Sequence, residues 1–529
     1  MTLKILRQTP ARLGALALLF ALAVPAAAQN EDVHSLTLEE AITRALEKNE
    51  AIIIERRAAD AAAAAETGAR GAYDPVLGLD AGWRETSEPV NSAFSGAPAG
   101  ELAPTDEVTD GGATLNQLLP TGGEVLVRAR GSRADSDGSF NFLAPAYSSR
   151  LGVELRQPLL RDRAIDPARF NIRAAAADRE QAQASLAREV RDTVAEVERA
   201  YWAMVAARRD VDVQREAVEL AEEQLDETSI RIEGGDAPET EIAQPRAELE
   251  RRRGDLLEAQ ESVARAENAL KLLVLGDDDG DLWADSLVPA DAIDVEVTPV
   301  DLATALEQAL ATRAELAAAE AFVERRRIEA AFAGDRIRPA LDLVVSYDRF
   351  GLAGDLNPAA GTIPGLPGEV PAELEGDFGD AWSGIADGDF DDTRIGLLFE
   401  VPIGNRSARA NAEIAENTRA QAEAELSRLR KSVRAEVLDA AATLSTAGGR
   451  IEAARAAREA AEVQLEAEQE RFAVGLSTNF LVLTRQNDLA SARLNETRAL
   501  TDYRTARIEM ARATGALLRE RGIEVSPNA

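Results

Sequence analysis

The sequence predicts a mainly α chain with a transmembrane β-barrel part, built from one helix-strand-strand-helix unit written twice. Three observations carry this. Blocks of sequence recur in the same order in both halves of the 529 residues. Long stretches rich in Ala, Glu and Arg show a narrow apolar seam, the mark of rods and not of a globule. Short runs alternate apolar with polar or small residues, and no apolar run after residue 28 approaches the ~20 residues of a membrane helix.

The recurrence fixes the domain plan. LTLEEAITRAL, with Leu38 to Leu46, matches LATALEQAL from Leu302 to Leu310, and Pro75 of YDPVLGLD matches Pro339 of IRPALDLV. RLGVELRQPLL from Arg150 matches RIGLLFEVPIG from Arg394, and RIEGGDAPET from Arg231 matches RFAVGLSTNF from Arg471. The separation between partners only shrinks along the chain, so the second copy has lost loop residues. Repeats at 37–275 and 300–518 follow, joined by an acidic, turn-rich connector at 276–299 and closed by a tail at 519–529. Residues 1–28 read as a secretory signal. Lys4, Arg7 and Arg12 precede the apolar LGALALLFALAV, and Ala26-Ala27-Ala28 offers a cleavage site between Ala28 and Gln29.

Texture places the elements. Helices are expected over 38–70, 171–232 and 239–273 in the first copy and over 302–335, 406–471 and 479–514 in the second. Leu186, Val190, Val194, Val197, Tyr201 and Met204 form a coiled-coil seam in the middle helix. Each middle helix has about 60 residues, roughly 90 Å at 1.5 Å per residue, so its two shorter neighbours stack end to end against it. Strands and loops fill 75–157 and 339–402, with Val76–Trp83, Arg150–Gln157, Leu341–Tyr347 and Thr393–Val401 as the strand candidates. Four strands cannot close a barrel alone, since barrels start at about eight, so closure requires several chains. The stretch ATLNQLLPTGGEVLVRARGSR is either a further pair of membrane strands or an extracellular hairpin. Arg128, Arg130, Arg150 and Arg156 alternate on strand-like runs and face water or a lumen. Trp83 and Tyr347 suit either an aromatic girdle at the membrane interface or interior packing.

Composition excludes several functions. A net charge of −34 repels nucleic acid. With no cysteine and one histidine, His34, thiol chemistry, His triads and His or Cys metal clusters cannot be built. Carboxylate chemistry remains, but no pair of acids is singled out by spacing. No enzyme activity, cofactor or metal is therefore expected. The acidic loop from Gly351 to Asp392 contains DGDFDD, which lacks EF-hand spacing and reads as a solvated extracellular loop.

The signal segment, the LTLEEAITRAL opening, RQPLL with its partner EVPIG, and RFAVGLSTNFLVLTRQNDLASARLNETRALTDYRTARIEMARATG together resemble the TolC family of outer-membrane efflux and secretion channels. The resemblance spans nearly the whole mature chain. It implies a homotrimer in the outer membrane that extends into the periplasm. Four strands from each protomer would make a 12-stranded β-barrel, and the helices would make a coiled-coil α-barrel. It further implies a passive exit duct for a tripartite efflux pump or type I secretion system, docked to an inner-membrane transporter through a periplasmic adaptor. A soluble periplasmic coiled-coil scaffold is the alternative, and it leaves the strand blocks without a purpose.

In such channels the paired breaks GGDAPETEIAQ and VGLSTNFLVLT are the periplasmic hairpin tips, where the tunnel closes and the adaptor binds. The resemblance gives Gly235, Gly475 and Leu476 as adaptor contacts; Gly475 alone reads equally as a helix C-cap. Some members carry gate aspartates six and nine residues after the second tip glycine. Those places are Leu481 and Thr484 here, so that acidic ring is missing. A gate-locking tyrosine and arginine are likewise replaced by Phe472 and Ser477. Glu239 and Glu241 of the first copy are the remaining carboxylates for a ring, and they also suit the start of a helix after Pro238. Phe480 to Leu483 read as helix packing more than as a constriction.

Overall fold

The computed structural model describes residues 33–525 apart from 90, 92–95, 99, 236–237, 294 and 361–369. The signal segment with Ala28 and Gln29 lies outside the described residues, as does Asp236. In the first copy β1 (Val33–Leu36) leads into α1 (Leu38–Lys48) and α2 (Glu50–Arg70). A capping box starts α1: the Glu40 N–H donates to Thr37 Oγ1 at 3.2 Å and the Thr37 N–H donates to the Glu40 carboxylate at 3.0 Å. Strands β2 (Val76–Ser87), β3 (Thr105–Leu118), β4 (Glu124–Ser136) and β5 (Leu143–Pro158) follow. Then come the long α3 (Pro167–Glu233) and its return partner α4 (Ala243–Val274). Asp166 accepts from the N–H groups of Ala168 and Arg169, and Pro167 at the first helical position loses no bond there.

The connector forms α5 (Gly280–Ala284) and β6 (Ser286–Pro289), and β6 pairs in parallel with β1. The second copy contains α6 (Leu302–Thr312), α7 (Ala314–Asp335), β7 (Ala340–Leu356), α8 (Phe378–Asp387), β8 (Phe390–Glu400), α9 (Arg406–Ala473) and α10 (Asn479–Ala513). A short α11 (Leu517–Glu520) ends the described chain. Where the sequence predicts single helices over 38–70 and 302–335, each is broken once, at Asn49 and at Arg313, which are equivalent positions of the two copies. Both residues adopt extended backbone. Neither break carries Gly or Pro, which is why the sequence does not announce it. The acidic loop also differs from expectation, since it holds α8, started by a capping box between Asp377 and Asp380.

One antiparallel sheet has the order β2-β3-β4-β5-β7-β8. The four strand candidates fall on β2, β5, β7 and β8, the last running one residue past the end of β8 to Val401. The structure adds β3 and β4, which with the turn between them include the open stretch at 113–133 and extend beyond it over 105–112 and 134–136. Pairings such as Leu115↔Val127, Val127↔Val153 and Val153↔Tyr347 define the two faces. One face carries Leu77, Leu79, Leu115, Val125, Val127, Leu151, Val153, Leu155, Leu343, Val345, Ile395, Leu397 and Phe399. Leu79 is 75% and Ile395 73% exposed there. The opposite face carries Asp80, Thr114, Asn116, Arg128, Arg130, Arg150, Glu154, Arg156, Asp342, Ser346 and Asp348, interspersed with apolar residues such as Leu126, Val344, Phe350 and Leu398. Its charges are paired: Arg150 Nε donates to Asp348 at 2.9 Å, Arg156 Nη2 to Asp342 at 2.6 Å and Arg130 Nη2 to Asp80 at 2.9 Å.

The register puts the Pro158, Ala340 and Glu400 ends of the strands together, so α3, α7 and α9 all leave the sheet at one end. Helix α8 lies at the other end, on the apolar side. It buries Ala381 and Ile385 against a row of small residues, Gly131, Ser149 and Gly351. A Cβ on Gly351 would stand 1.8 Å from the Ala381 carbonyl oxygen, so only glycine admits the helix here.

The apolar core sits at one level of the rod, near the β1–β6 pair. Val194, Val197, Tyr201 and Met204 of α3 meet Leu270 and Val274 of α4, Val433 and Val437 of α9, and Tyr503 and Met510 of α10. The Tyr201 hydroxyl lies 2.7 Å from the Asp291 carboxylate, and burial raises its pKa. Beside this core runs a chain of charges. Arg191 of α3 grips Glu315 of α7 with both Nη atoms, at 2.8 and 2.6 Å. Arg313 donates to Glu315 at 2.9 Å and to Glu436 of α9 at 2.5 Å; Arg512 of α10 also binds Glu436 and donates to Glu509 at 2.9 Å. Burial by itself would raise the pKa of Glu315, but hydrogen bonds from Arg191 and Arg313 outweigh it and hold the carboxyl well below the ordinary range. Its stabilisation is thus complete above the ordinary value of 4.5 and is lost as the pH falls through the depressed folded value. Glu315→Ala leaves two buried guanidinium groups without this partner. It should cost about 3 to 5 kcal/mol, read as a lowered unfolding midpoint of the purified protein at pH 7, with the difference from wild type shrinking in acid.

Candidate functional site

The far end of the rod is built from two helix turns. After α3, Gly234 caps the helix and Gly235 takes φ +82°. Pro238 then precedes a 3₁₀ turn over Glu239–Ile242 that leads into α4. After α9, Gly475 takes φ +77°, and the Leu476 N–H donates back to the Arg471 carbonyl at 2.8 Å, closing a Schellman turn. Thr478 then precedes α10. Both glycines have open space around the missing Cβ, so it is the left-handed backbone, not crowding, that favours glycine.

At the tips Glu239 and Glu241 are exposed on the first turn, and Leu476 is 80% exposed on the second. Leu481 points partly outward, while the Thr484 hydroxyl is tied to the Phe480 carbonyl of its own helix at 2.8 Å. The apolar run divides: Val482 and Leu483 are buried, and Phe480 is exposed. Val482 joins Leu465, Phe472 and Leu489 in a small core between α9 and α10. Ser477, in place of the expected arginine, bonds the Glu468 carboxylate.

Sequence reasoning did not find what ties the two tips to each other. The Arg231 guanidinium lies 4.9 Å above the Phe472 ring, and Asn479 Nδ2 donates to Thr228 Oγ1 at 3.3 Å. Further up, Arg493 of α10 donates to Glu216 of α3 at 2.5 Å and Arg251 of α4 to Asn487 of α10 at 2.6 Å. The signal was present only in part: Arg231 and Phe472 flank the matched glycines, but which helix faces which is a tertiary property. Behind the tip, burial would raise the Glu248 carboxyl, yet hydrogen bonds from Arg251 and Arg252 lower it overall. Among the described residues no group of three or more His, Cys, Asp or Glu is arranged to hold a metal ion.

At the opposite end Trp83 and Tyr347 both lie on the apolar face of the sheet. The Trp83 indole N–H donates to Glu107 at 2.9 Å, and Arg349 Nε donates to the Tyr347 hydroxyl at 2.9 Å. Arg128, Arg130, Arg150 and Arg156 all lie on the polar face.

A sheet with one exposed apolar face and one charge-paired face, continued at one end by a helical rod of roughly 100 Å, defines a subunit of an outer-membrane channel. Residues 124–275 and 305–516 match the sequence profile of the family described as outer membrane efflux protein, and the chain belongs to that family. It is a TolC-like outer-membrane channel protein. No curated protein matches the chain. Its fold is similar to the CmeC outer-membrane channel of Campylobacter jejuni, with a TM-score of 0.61 at 16% identity over 92% of this chain and 86% of that one. It is also similar to the outer-membrane protein VceC of Vibrio cholerae, with a TM-score of 0.60 at 16% identity over 90% of this chain and 96% of that one. A third similar structure is the open state of the MtrE outer-membrane channel of Neisseria gonorrhoeae, with a TM-score of 0.59 at 16% identity over 91% of this chain and 89% of that one.

Arg231→Ala removes the cation–π contact between the tips, a loss of about 0.5 to 1 kcal/mol. Amide hydrogen exchange over residues 471–484 should accelerate several-fold, with the exchange of α3 at Val194 to Met204 unchanged.

Proposed function

We propose that three copies of the chain form a passive exit duct, with the sheet closed in the outer membrane and the rod crossing the periplasm. One observation supports this above the rest: the exposed apolar band ends where the helices begin, so a bilayer would cover the sheet and leave the rod in water. The unpaired edges of β2 and β8 must be satisfied inside hydrocarbon, and pairing between copies does so. A soluble scaffold gives the band no cover, and the exposed residues Leu77, Leu79, Ile395, Leu397 and Phe399 then argue against it.

The tips at Gly235 and Gly475 are the gate and the docking surface of this reading. Three copies would present six turns around one opening, with Leu476 offered to a periplasmic adaptor that links the duct to an inner-membrane transporter. Glu239 and Glu241 would form rings of negative charge there, favouring cations. Leu481 and Thr484 would contribute no charge to that opening. Trp83 and Tyr347, each with an apolar ring and a polar tip on the band's face, suit the membrane interface.

Two measurements test the reading. The protein should stay in the outer-membrane fraction after a high-salt wash, and its release into the soluble fraction would sink the duct. In planar bilayers Glu241→Gln should reduce the preference for cations over anions; unchanged selectivity would remove Glu241 from the gate.

A further inference from the structure

We propose that the β3–β4 hairpin is part of the membrane wall, so that three copies close an 18-stranded barrel, six strands from each chain, in place of the 12-stranded one the resemblance implies. This rests on the reading that three copies close one barrel. The hairpin is not appended to the sheet but inserted in it. β3 pairs with β2 from Val76↔Asn116 to Ser87↔Thr105, and β4 pairs with β5 from Glu124↔Arg156 to Ala134↔Ala146. β2 and β5 are therefore not neighbours, and the sheet has no continuous wall without the hairpin.

The hairpin also spans the full height of the sheet. Its turn, at Leu119 to Gly123, lies at the end where the helices leave. There Gln117 donates to the Tyr73 carbonyl just after α2, Thr121 Oγ1 lies 2.8 Å from Gln157 Oε1, and Arg169 in the first turn of α3 donates to the Thr121 carbonyl at 3.4 Å. A hairpin folded over the outer surface could not reach these groups. Its 14 and 13 residues exceed the ~9 to 11 that a membrane strand requires.

Both faces of the hairpin continue the faces of their neighbours. Ala113, Leu115, Val125, Val127 and Ala129 fill the apolar band between Leu77 and Leu79 on β2 and Leu151 and Val153 on β5. On the other side Arg130 pairs with Asp80 of β2 and Arg128 with Glu154 of β5, so the charge ladder crosses the hairpin unbroken. Along the sheet the band also steps toward the helical end. It is centred near Leu79 on β2 and near Leu397 on β8, which the register sets several residues lower. That progressive offset is the stagger of strands tilted in a closed barrel, and β3 and β4 fall on it.

Barrel diameter grows roughly linearly with strand number, so 18 strands give an opening about one and a half times that of 12. Barrels of about 16 to 18 strands hold an aqueous channel. The membrane segment would then be a wide, water-filled outlet lined by Arg–Asp pairs, and size selection would fall to the tips.

The chain has no cysteine, so single substitutions report without background. Leu115→Cys and Val127→Cys test the outer face of the hairpin, Thr114→Cys and Asn116→Cys its inner face, and Val153→Cys and Leu397→Cys the strands on which the duct reading depends. Each is spin-labelled in the full-length protein reconstituted in phospholipid vesicles, and its accessibility to oxygen is compared with that to a water-soluble nickel chelate. The expected result is an oxygen-to-nickel ratio several-fold higher at 115 and 127 than at 114 and 116, equal to that at 153 and 397. Electron cryo-microscopy of the same samples should count 18 strands. Lipid exposure at 153 and 397 with water exposure at 115 and 127, or a 12-strand count, overturns the inserted hairpin and leaves the duct intact. Water exposure at all four outer positions overturns both.

Discussion

Long helices with narrow seams bury little surface per residue, and the rod is held together where that changes. At the level of Tyr201 and Tyr503 the short helices α1 and α6 bring their buried faces against α3, α4, α9 and α10, and the seam widens into a true core. The charges from Arg191 through Glu315, Arg313 and Glu436 to Arg512 lie beside it and join four helices from both repeats. A bidentate pair between Arg521 and Glu198, at 2.7 Å, fastens the end of the described chain to α3 at the same level. Such partly buried pairs contribute little net free energy when whole but are costly to break singly. Their role is to fix which helix stands beside which, a choice that repetitive Ala-rich seams specify weakly.

From that level the molecule extends into two solvents. Toward the sheet, every strand must present apolar side chains to one side and satisfy its charges on the other. Six strands in one register do so with the same period. Toward the tips the helices thin to pairs, and contact between the hairpins comes down to separate polar clasps and one ring. The stabilities of the two ends therefore differ in kind: the sheet is fixed by continuous backbone pairing, and the tips by contacts worth about a kilocalorie each. The gate proposed at the tips thus lies at the weaker end.

Much of this was legible because periodicity is a local property. The duplication, the long helices and four of the strands could be read from spacing alone, and the tips from two glycines at matching positions. The first part of β3 was not: TDEVTDGG has acids and adjacent glycines that look like loop, and only the neighbours on both sides make it a strand, while ATLNQL after it fits either a membrane strand or an extracellular hairpin. α8 hid in an acidic, Gly-rich loop because its apolar residues, Phe378, Ala381, Trp382 and Ile385, find their meaning against Gly131 and Gly351 of distant strands. The breaks at Asn49 and Arg313 lacked Gly or Pro. Asn49 instead breaks one helix by capping the next, accepting the Ala51 N–H at 3.0 Å. At the tip, Arg231 and Phe472 were visible as residues but not as partners, since their meeting depends on the rotation of two rods.

The two breaks have a mechanical meaning. α3 and α9 run uninterrupted past the level at which α1 meets α2 and α6 meets α7. Asn49 and Arg313 sit in extended backbone, yet each donates the last helical bond of the segment before it and accepts a first-turn bond of the segment after it. Each repeat thus pairs a continuous strut with a jointed one. Both joints are pinned: Asn49 Nδ2 donates to the Leu273 carbonyl of α4 at 3.2 Å and Arg313 to Glu436 of α9 at 2.5 Å, so the angle of each kink is set by the neighbouring helix and not by the jointed strut itself.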